Sequence, residues 1–308
     1  MSKKLLIVIL FLLISIVGNI YFVTNSPKVK SPSTDLGSLT NHYPYLSKRV
    51  LAEIPNDYLI NFLELRKALR LQTEEYKNTF AFYFEYLPTG SSIGVHEKAE
   101  FPAASLLKVP VVMAYYHQKE RLKQEGDSTV KIRSDQIDNT FGTLWKKGPG
   151  ATVSLDEMAR LAIIESDNTA ARVLTDNIDI KDFEAIYEGL DIELKEGDAG
   201  VILTAKNYSS ILKALFFSSV ITREHSQHIL EMMTRTIFND KLPAGVPGDV
   251  KVAHKIGVLG ENLFMDCGIV YPVRRQYMLC MISATDEDVA RERMVRMSKT
   301  TYDFVSTK

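Results

Sequence analysis

The sequence predicts an α+β fold of three layers (α/β/α). An antiparallel sheet lobe is assembled from both chain ends, with an all-helical lobe inserted between them. Three observations lead there. Phe80, Phe82, Phe84 and Tyr86 alternate, which marks an early strand with an aromatic face. Three more strand signals, at 250–256, 266–271 and 276–284, crowd the end of the chain. The stretch between, roughly 125–245, reads mostly helical.

Composition narrows the function classes. The chain has 308 residues, a net charge of −1, 45% hydrophobic and 24% charged residues, the balance of a globular protein. That charge offers no electrostatic reason to bind nucleic acid. Two cysteines exclude a disulfide-dense scaffold or a Cys-rich metal site. No His/Asp/Glu cluster has metal-ligand spacing, so neither a metal nor another cofactor is implied.

The N-terminus is a separate object. Lys3 and Lys4 precede an uncharged, mostly apolar run over residues 5–23, just long enough to cross a bilayer. Without a small-residue cleavage site it reads as a signal anchor, with the rest of the chain on the outer side of the cell membrane. The expected division is an anchor over 1–24, a tether over 25–54 and a working domain over 55–308. The sheet lobe takes about 55–100 and 248–308, and the helical lobe about 101–247.

Within that domain, Tyr58, Phe62, Leu65 and Leu69 repeat at helical spacing. The aromatic strand follows, then a Pro88-Thr-Gly-Ser turn and a returning strand near 92–96. Residues 105 to about 125 read as a very apolar helix. Ser154-Leu-Asp-Glu157 has the form of a capping box. The last two strands flank a 272–275 turn, which sets Cys267 opposite Cys280; the pair reads as two small buried hydrophobes, with a disulfide on an exported hairpin as the alternative. A final helix lines up Ala290, Met294, Met297, Thr301 and Phe304.

Three segments carry chemistry. In Ser105-Leu-Leu-Lys108 the lysine lies one helical turn from the serine and serves as its base if burial lowers its pKa. The same spacing recurs at Ser128/Lys131 and Ser210/Lys213, so context decides. Only Ser105 stands at the start of an apolar helix, where free amides favour an oxyanion. Ser166-Asp-Asn168 follows the Ser154 helix: Ser166 relays a proton and Asn168 hydrogen-bonds a substrate amide. Lys255-Ile-Gly257-Val258 lies on a late strand, where Lys255 faces the cleft and Gly257 leaves room for a ligand along the strand edge. His254 points to the other face of that strand.

Together, in this order, the three segments resemble the penicillin-recognising serine hydrolases, and class A β-lactamases in particular, over roughly residues 55–305. The resemblance implies Ser105 as nucleophile, Lys108 as its activating partner, Ser166 as proton shuttle and Lys255 as electrostatic aid. Asn168 would orient the substrate, and the Ser105 and Val258 amides would form the oxyanion hole. The substrate implied is a β-lactam or a peptidoglycan peptide, taken in a crevice between the lobes.

Two departures separate the chain from that family. Ile256 stands where the pattern has Thr or Ser, removing a hydroxyl from substrate recognition. No Glu-x-x-Leu-Asn pattern follows Ser166; that stretch offers Glu184, Glu188, Glu193, Glu196 and Asp198 as candidate acids, and Glu196 or Asp198 lies nearest the place of a deacylating base. Both read as solvated loop acids. Acylation therefore has its parts while deacylation lacks a base, which fits a D-alanyl-D-alanine peptidase or a slow acyl-enzyme. A non-catalytic module holding cell-wall peptide is the rival from another class.

Overall fold

The computed structural model describes residues 41–45 and 62–307. The apolar run at 5–23 and most of the tether lie outside the described residues. Among the described residues no helix is long and apolar enough to cross a membrane.

A five-stranded antiparallel sheet organises the domain. Strands β1 (Phe80–Tyr86) and β2 (Ser91–Val95) come from the N-terminal side. Strands β8 (Val252–Leu259), β9 (Leu263–Val270) and β10 (Tyr277–Ser283) come from the C-terminal side. The order is β2-β1-β10-β9-β8, so the two chain ends meet at the β1–β10 seam, Phe80 opposite Ser283 through Tyr86 opposite Tyr277. Every residue of β1 is buried, because helices cover both faces.

On one face lie α1 (Leu63–Glu74) and α8 (Glu287–Thr307). Leu65 and Leu69 meet Phe80, Phe82, Phe84 and Tyr86, and Ala290, Met294, Met297 and Val305 complete that core. The other face meets α6 (Ala205–Phe217) and α7 (Arg223–Met233), and α2 (Lys108–Leu122), α3 (Leu155–Ile164), α4 (Asn168–Thr175) and α5 (Ile180–Glu188) share the same hydrophobic core. The three-layer expectation holds.

The middle stretch is less helical than its sequence suggested. β4 (Thr129–Lys131) pairs with β5 (Thr152–Ser154), and β6 (Lys195–Gly197) and β7 (Gly200–Leu203) form a hairpin beside β3 (Phe101–Pro102). These ladders are two or three residue pairs long, too short to leave a period in the sequence. The Ser154 cap is half of the box expected: its hydroxyl accepts from the Glu157 amide at 3.1 Å, but the Glu157 carboxylate turns to Arg160.

Cys267 and Cys280 do face one another, and they are bonded as a disulfide joining β9 to β10 in the centre of the sheet. Of the two readings the disulfide is the one formed, in place of two separate buried thiols: the register puts both side chains on one face, within bonding reach. The row continues to Lys255 on β8, which pairs with Cys267. Residues 41–45 are docked on α7. Tyr43 Oη donates to Glu224 at 2.7 Å, the Tyr45 amide donates to Gln227 at 3.1 Å, and Tyr271 Oη donates to the Tyr45 carbonyl at 3.0 Å.

The disulfide closes a short loop, so its removal acts mainly on the unfolded chain. A Cys267→Ala/Cys280→Ala double variant is expected to lose about 2–4 kcal/mol in urea unfolding. A loss below about 1 kcal/mol would show that hydrogen bonding and packing already hold this seam.

Candidate active site

The nucleophile candidate sits on a tight turn. Ala103 donates its amide to Val201 of the β6–β7 hairpin at 2.7 Å, which fixes the end of β3. Ala104 then takes a left-handed φ of 44°, and residues Ala104–Leu107 form a 3₁₀ turn that runs into α2 at Lys108. In a 3₁₀ turn residues three apart eclipse one another, so Ser105 and Lys108 share one edge. The sequence placed Ser105 on an α-helix; the tighter turn gives the closer stacking. Of the other Ser-x-x-Lys pairs, Lys131 ends a short strand and Lys213 on α6 binds Glu85 at 2.9 Å.

Below this turn runs β8, the edge strand of the sheet. Gly257 makes that contact possible. A Cβ there would lie 3.2 Å from Leu106 Cγ and 2.9 Å from Met265 Cε, so the missing side chain makes room for protein atoms. Val258 pairs with Phe264 one step farther along the same edge strand.

The third element is the α3–α4 junction. Ser166 is buried and held at φ 54°, a strained conformation for a residue with a Cβ. Asp167 caps α4, accepting from the Ala170 amide at 2.8 Å, and also binds the Thr143 and Leu144 amides at 2.7 Å each. This carboxylate, missed by sequence reasoning, anchors the loop 138–144 against α4. Gly142 is required there, because a Cβ would fall 2.1 Å from Asp167 Oδ2.

Four predicted site residues meet in one hydrogen-bonded cluster. Lys108 Nζ donates to the Ser166 carbonyl, to Ser166 Oγ at 3.2 Å and to Asn168 Oδ1 at 2.6 Å. Lys255 Nζ donates to Ser166 Oγ at 2.8 Å and to the Ile256 carbonyl at 3.2 Å. One hydroxyl thus bridges two lysines from distant parts of the chain. Ser105 Oγ makes no hydrogen bond among the described residues; its place follows from the turn. His254 does point to the other face and bonds Asp266 at 2.8 Å.

Burial tunes both amines. It lowers Lys108 to about 8, against the opposing pull of Asp167 and Asp138. Burial also drives Lys255 well below the ordinary lysine range; the Lys108 amine adds to this and Asp266 opposes it. An amine near 8 is a competent base close to neutral pH.

No acid joins the cluster from the expected stretch. Glu184 and Glu188 lie on α5, and Glu193, Glu196 and Asp198 on or beside the β6–β7 hairpin, all five exposed. Ile256 is buried, and its hydrocarbon side chain offers no hydrogen bond.

A model of the β-lactamase enzyme family matches residues 64–305. The chain belongs to that family. Residues 64–305 are therefore a penicillin-recognising serine hydrolase domain. β-Lactamase 1 of Bacillus cereus is 25% identical over 217 residues, covering 66% of this chain and 70% of that protein. A β-lactamase of Bacteroides uniformis is 25% identical over 244 residues, 70% of this chain and 82% of its own. Among solved structures, PBP-A superposes with a TM-score of 0.72 at 22% identity, covering 83% of this chain and 100% of PBP-A. A PBP-A variant in an acyl-enzyme complex with penicillin G gives 0.72 at 24% identity, covering 80% and 97%.

Lys255 is fully buried, and keeping an amine there opposes folding. Replacing it with methionine removes the polar group at similar length while Ser166 Oγ keeps Lys108. Lys255→Met is expected to raise Tm at neutral pH by roughly 2–6 °C. A lowered Tm in differential scanning calorimetry would mean that its two hydrogen bonds outweigh its burial.

Proposed function

We propose that the protein is a membrane-anchored serine hydrolase, working outside the cytoplasm, that forms an acyl-enzyme on Ser105 with a β-lactam and releases it slowly. The observation that carries this reading is the shared Lys108–Ser166–Lys255 cluster beside the Ser105 turn. The Cys267–Cys280 disulfide suits an oxidising compartment.

In this mechanism neutral Lys108 takes the Ser105 hydroxyl proton as Oγ attacks the β-lactam carbonyl. The Ser105 and Val258 amides receive the developing oxyanion. Ser166 passes a proton to the ring nitrogen as the C–N bond breaks, and Lys255 keeps the Ser166 hydroxyl oriented. Asn168 holds the substrate's amide side chain. Water then hydrolyses the ester. The exposure of all five candidate acids supports a slow second half.

That same absence favours a second reading within the family, a D-alanyl-D-alanine peptidase that penicillin acylates as a substrate mimic. The acyl-enzyme reported for the PBP-A variant supports the shared first step.

Intact-mass analysis after penicillin exposure is expected to show one adduct in the wild type and none in Ser105→Ala. Chromogenic cephalosporin turnover is expected below about 1 per second, since a missing base costs 10²–10⁴-fold. Release of D-alanine from a peptide ending in D-Ala-D-Ala would select the peptidase; equal non-covalent binding by both proteins without an adduct would make the domain a binding module. Acylation is expected to rise with pH through about 8, because Lys108 acts only after losing its proton. A flat profile from pH 6 to about 9 would remove Lys108 as the base.

A further inference from the structure

Asn168 presents a carboxamide between two neighbours of opposite demand. Lys108 Nζ donates to Oδ1 at 2.6 Å. On the other side Nδ2 donates to Thr140 Oγ1 at 2.7 Å and, more weakly, to Asp138 Oδ1 at 3.3 Å. A carboxamide can turn over, exchanging its oxygen and nitrogen. A hydroxyl partner cannot prevent this, because it donates as readily as it accepts.

Protonated Lys108 only donates and so favours the observed sense, but the neutral amine needed for acylation also accepts; in that state Asp138 removes the freedom. Its ionised carboxylate only accepts. The Thr140 hydroxyl proton goes to Asp138 Oδ1, so only lone pairs of Thr140 Oγ1 remain for Asn168. The Thr140 amide donates to the same oxygen at 2.9 Å, and Arg172 donates to Oδ2 at 2.7 Å. The Asp138 backbone is fixed as well: its amide donates to Thr169 Oγ1 at 2.9 Å, and its carbonyl accepts from that hydroxyl at 2.9 Å. Asn168 and Arg172 lie one turn apart on α4, so a single helix face holds both ends of the chain of bonds. Burial pushes the Asp138 carboxyl up, but hydrogen bonds from Thr140 and Asn168 and the Arg172 charge outweigh it and leave it below its ordinary value.

We propose that Asp138 and Thr140 are positioning residues for acylation: they set the sense of the Asn168 carboxamide, so that its oxygen holds Lys108 and its N–H meets the amide carbonyl of the substrate. The longer bond to Asp138 is the one a substrate carbonyl displaces. Thr140 is exposed, on the loop that Asp167 ties to α4, where an entering ligand reaches it. The catalytic half of this inference rests on the function proposed above; the orientation of Asn168 does not.

Two measurements test it. Hydrogen exchange of the Asn168 side-chain amide, assigned by its loss in Asn168→Asp, is expected to be slow in the ligand-free wild type and in Thr140→Ser. It is expected to be about tenfold faster in Thr140→Val and Asp138→Asn, the worth of one such hydrogen bond. Acylation by a fluorescent penicillin is expected to fall by about tenfold in Thr140→Val, mainly in the binding constant, with its pH limb unmoved, and to recover in Thr140→Ser. Asp138→Asn is expected to shift that limb to lower pH, because it removes a negative charge that favours protonated Lys108. Equal exchange in wild type and Thr140→Val overturns the proposal. If no variant, nor the wild type, takes an acyl group, the acyl-enzyme reading falls while the exchange data still decide the orientation.

Discussion

Two lysine amines share one serine hydroxyl in a space from which water is almost fully removed. Burial disfavours the charged form of both amines, and the Lys108 amine lowers the proton affinity of Lys255 further. Lys108 has Asp167 and Asp138 nearby to moderate the effect; Lys255 has Asp266, which is also committed to His254 and the Leu242 amide. The outcome is an amine poised near neutral pH beside a serine, and much of the surrounding structure serves to hold it there.

That holding is done by backbone devices. Lys255 arrives on an edge strand that is stiffened from behind by the Cys267–Cys280 bond two strands deep. The same strand packs closely under the Ser105 turn at Gly257, where a Cβ would crowd Leu106 and Met265. Ala104 and Ser166 both adopt left-handed conformations, one just before the nucleophile turn and one at the centre of the cluster. Such conformations persist where neighbouring structure over-determines them, and here a strand, a helix cap and a docked loop do so.

Membership in the β-lactamase family coexists with two losses that bear on different steps. Ile256 places a buried hydrocarbon where the family pattern carries a hydroxyl. The segment between α5 and α6 closes as a β-hairpin against Phe101–Pro102 and leaves its acids in solvent. The hairpin instead buttresses the nucleophile turn through the Val201 carbonyl. A segment used in this way fixes the Ser105 turn and keeps its own carboxylates away from the Lys108–Ser166–Lys255 cluster.

Much of this was legible in the sequence. The alternating aromatics of β1 and the periodic core of α8 record burial on known faces, and the 272–275 turn set the register that opposes Cys267 and Cys280. The three short motifs named Ser105, Lys108, Ser166, Asn168 and Lys255, because their chemistry depends on residue type and close spacing. What the linear order could not contain was the use of residues whose partners lie elsewhere: Asp167 as anchor of the 138–144 loop, Asp138 and Thr140 behind Asn168, Gly257 under Leu106, and the brief ladders of β4 to β7. Periodicity reports which side of an element faces the core, but hydrogen bonds between loops leave no period. Only the folded chain, by forcing every buried donor and acceptor to find a partner, decided which carboxylate, hydroxyl and amine would meet.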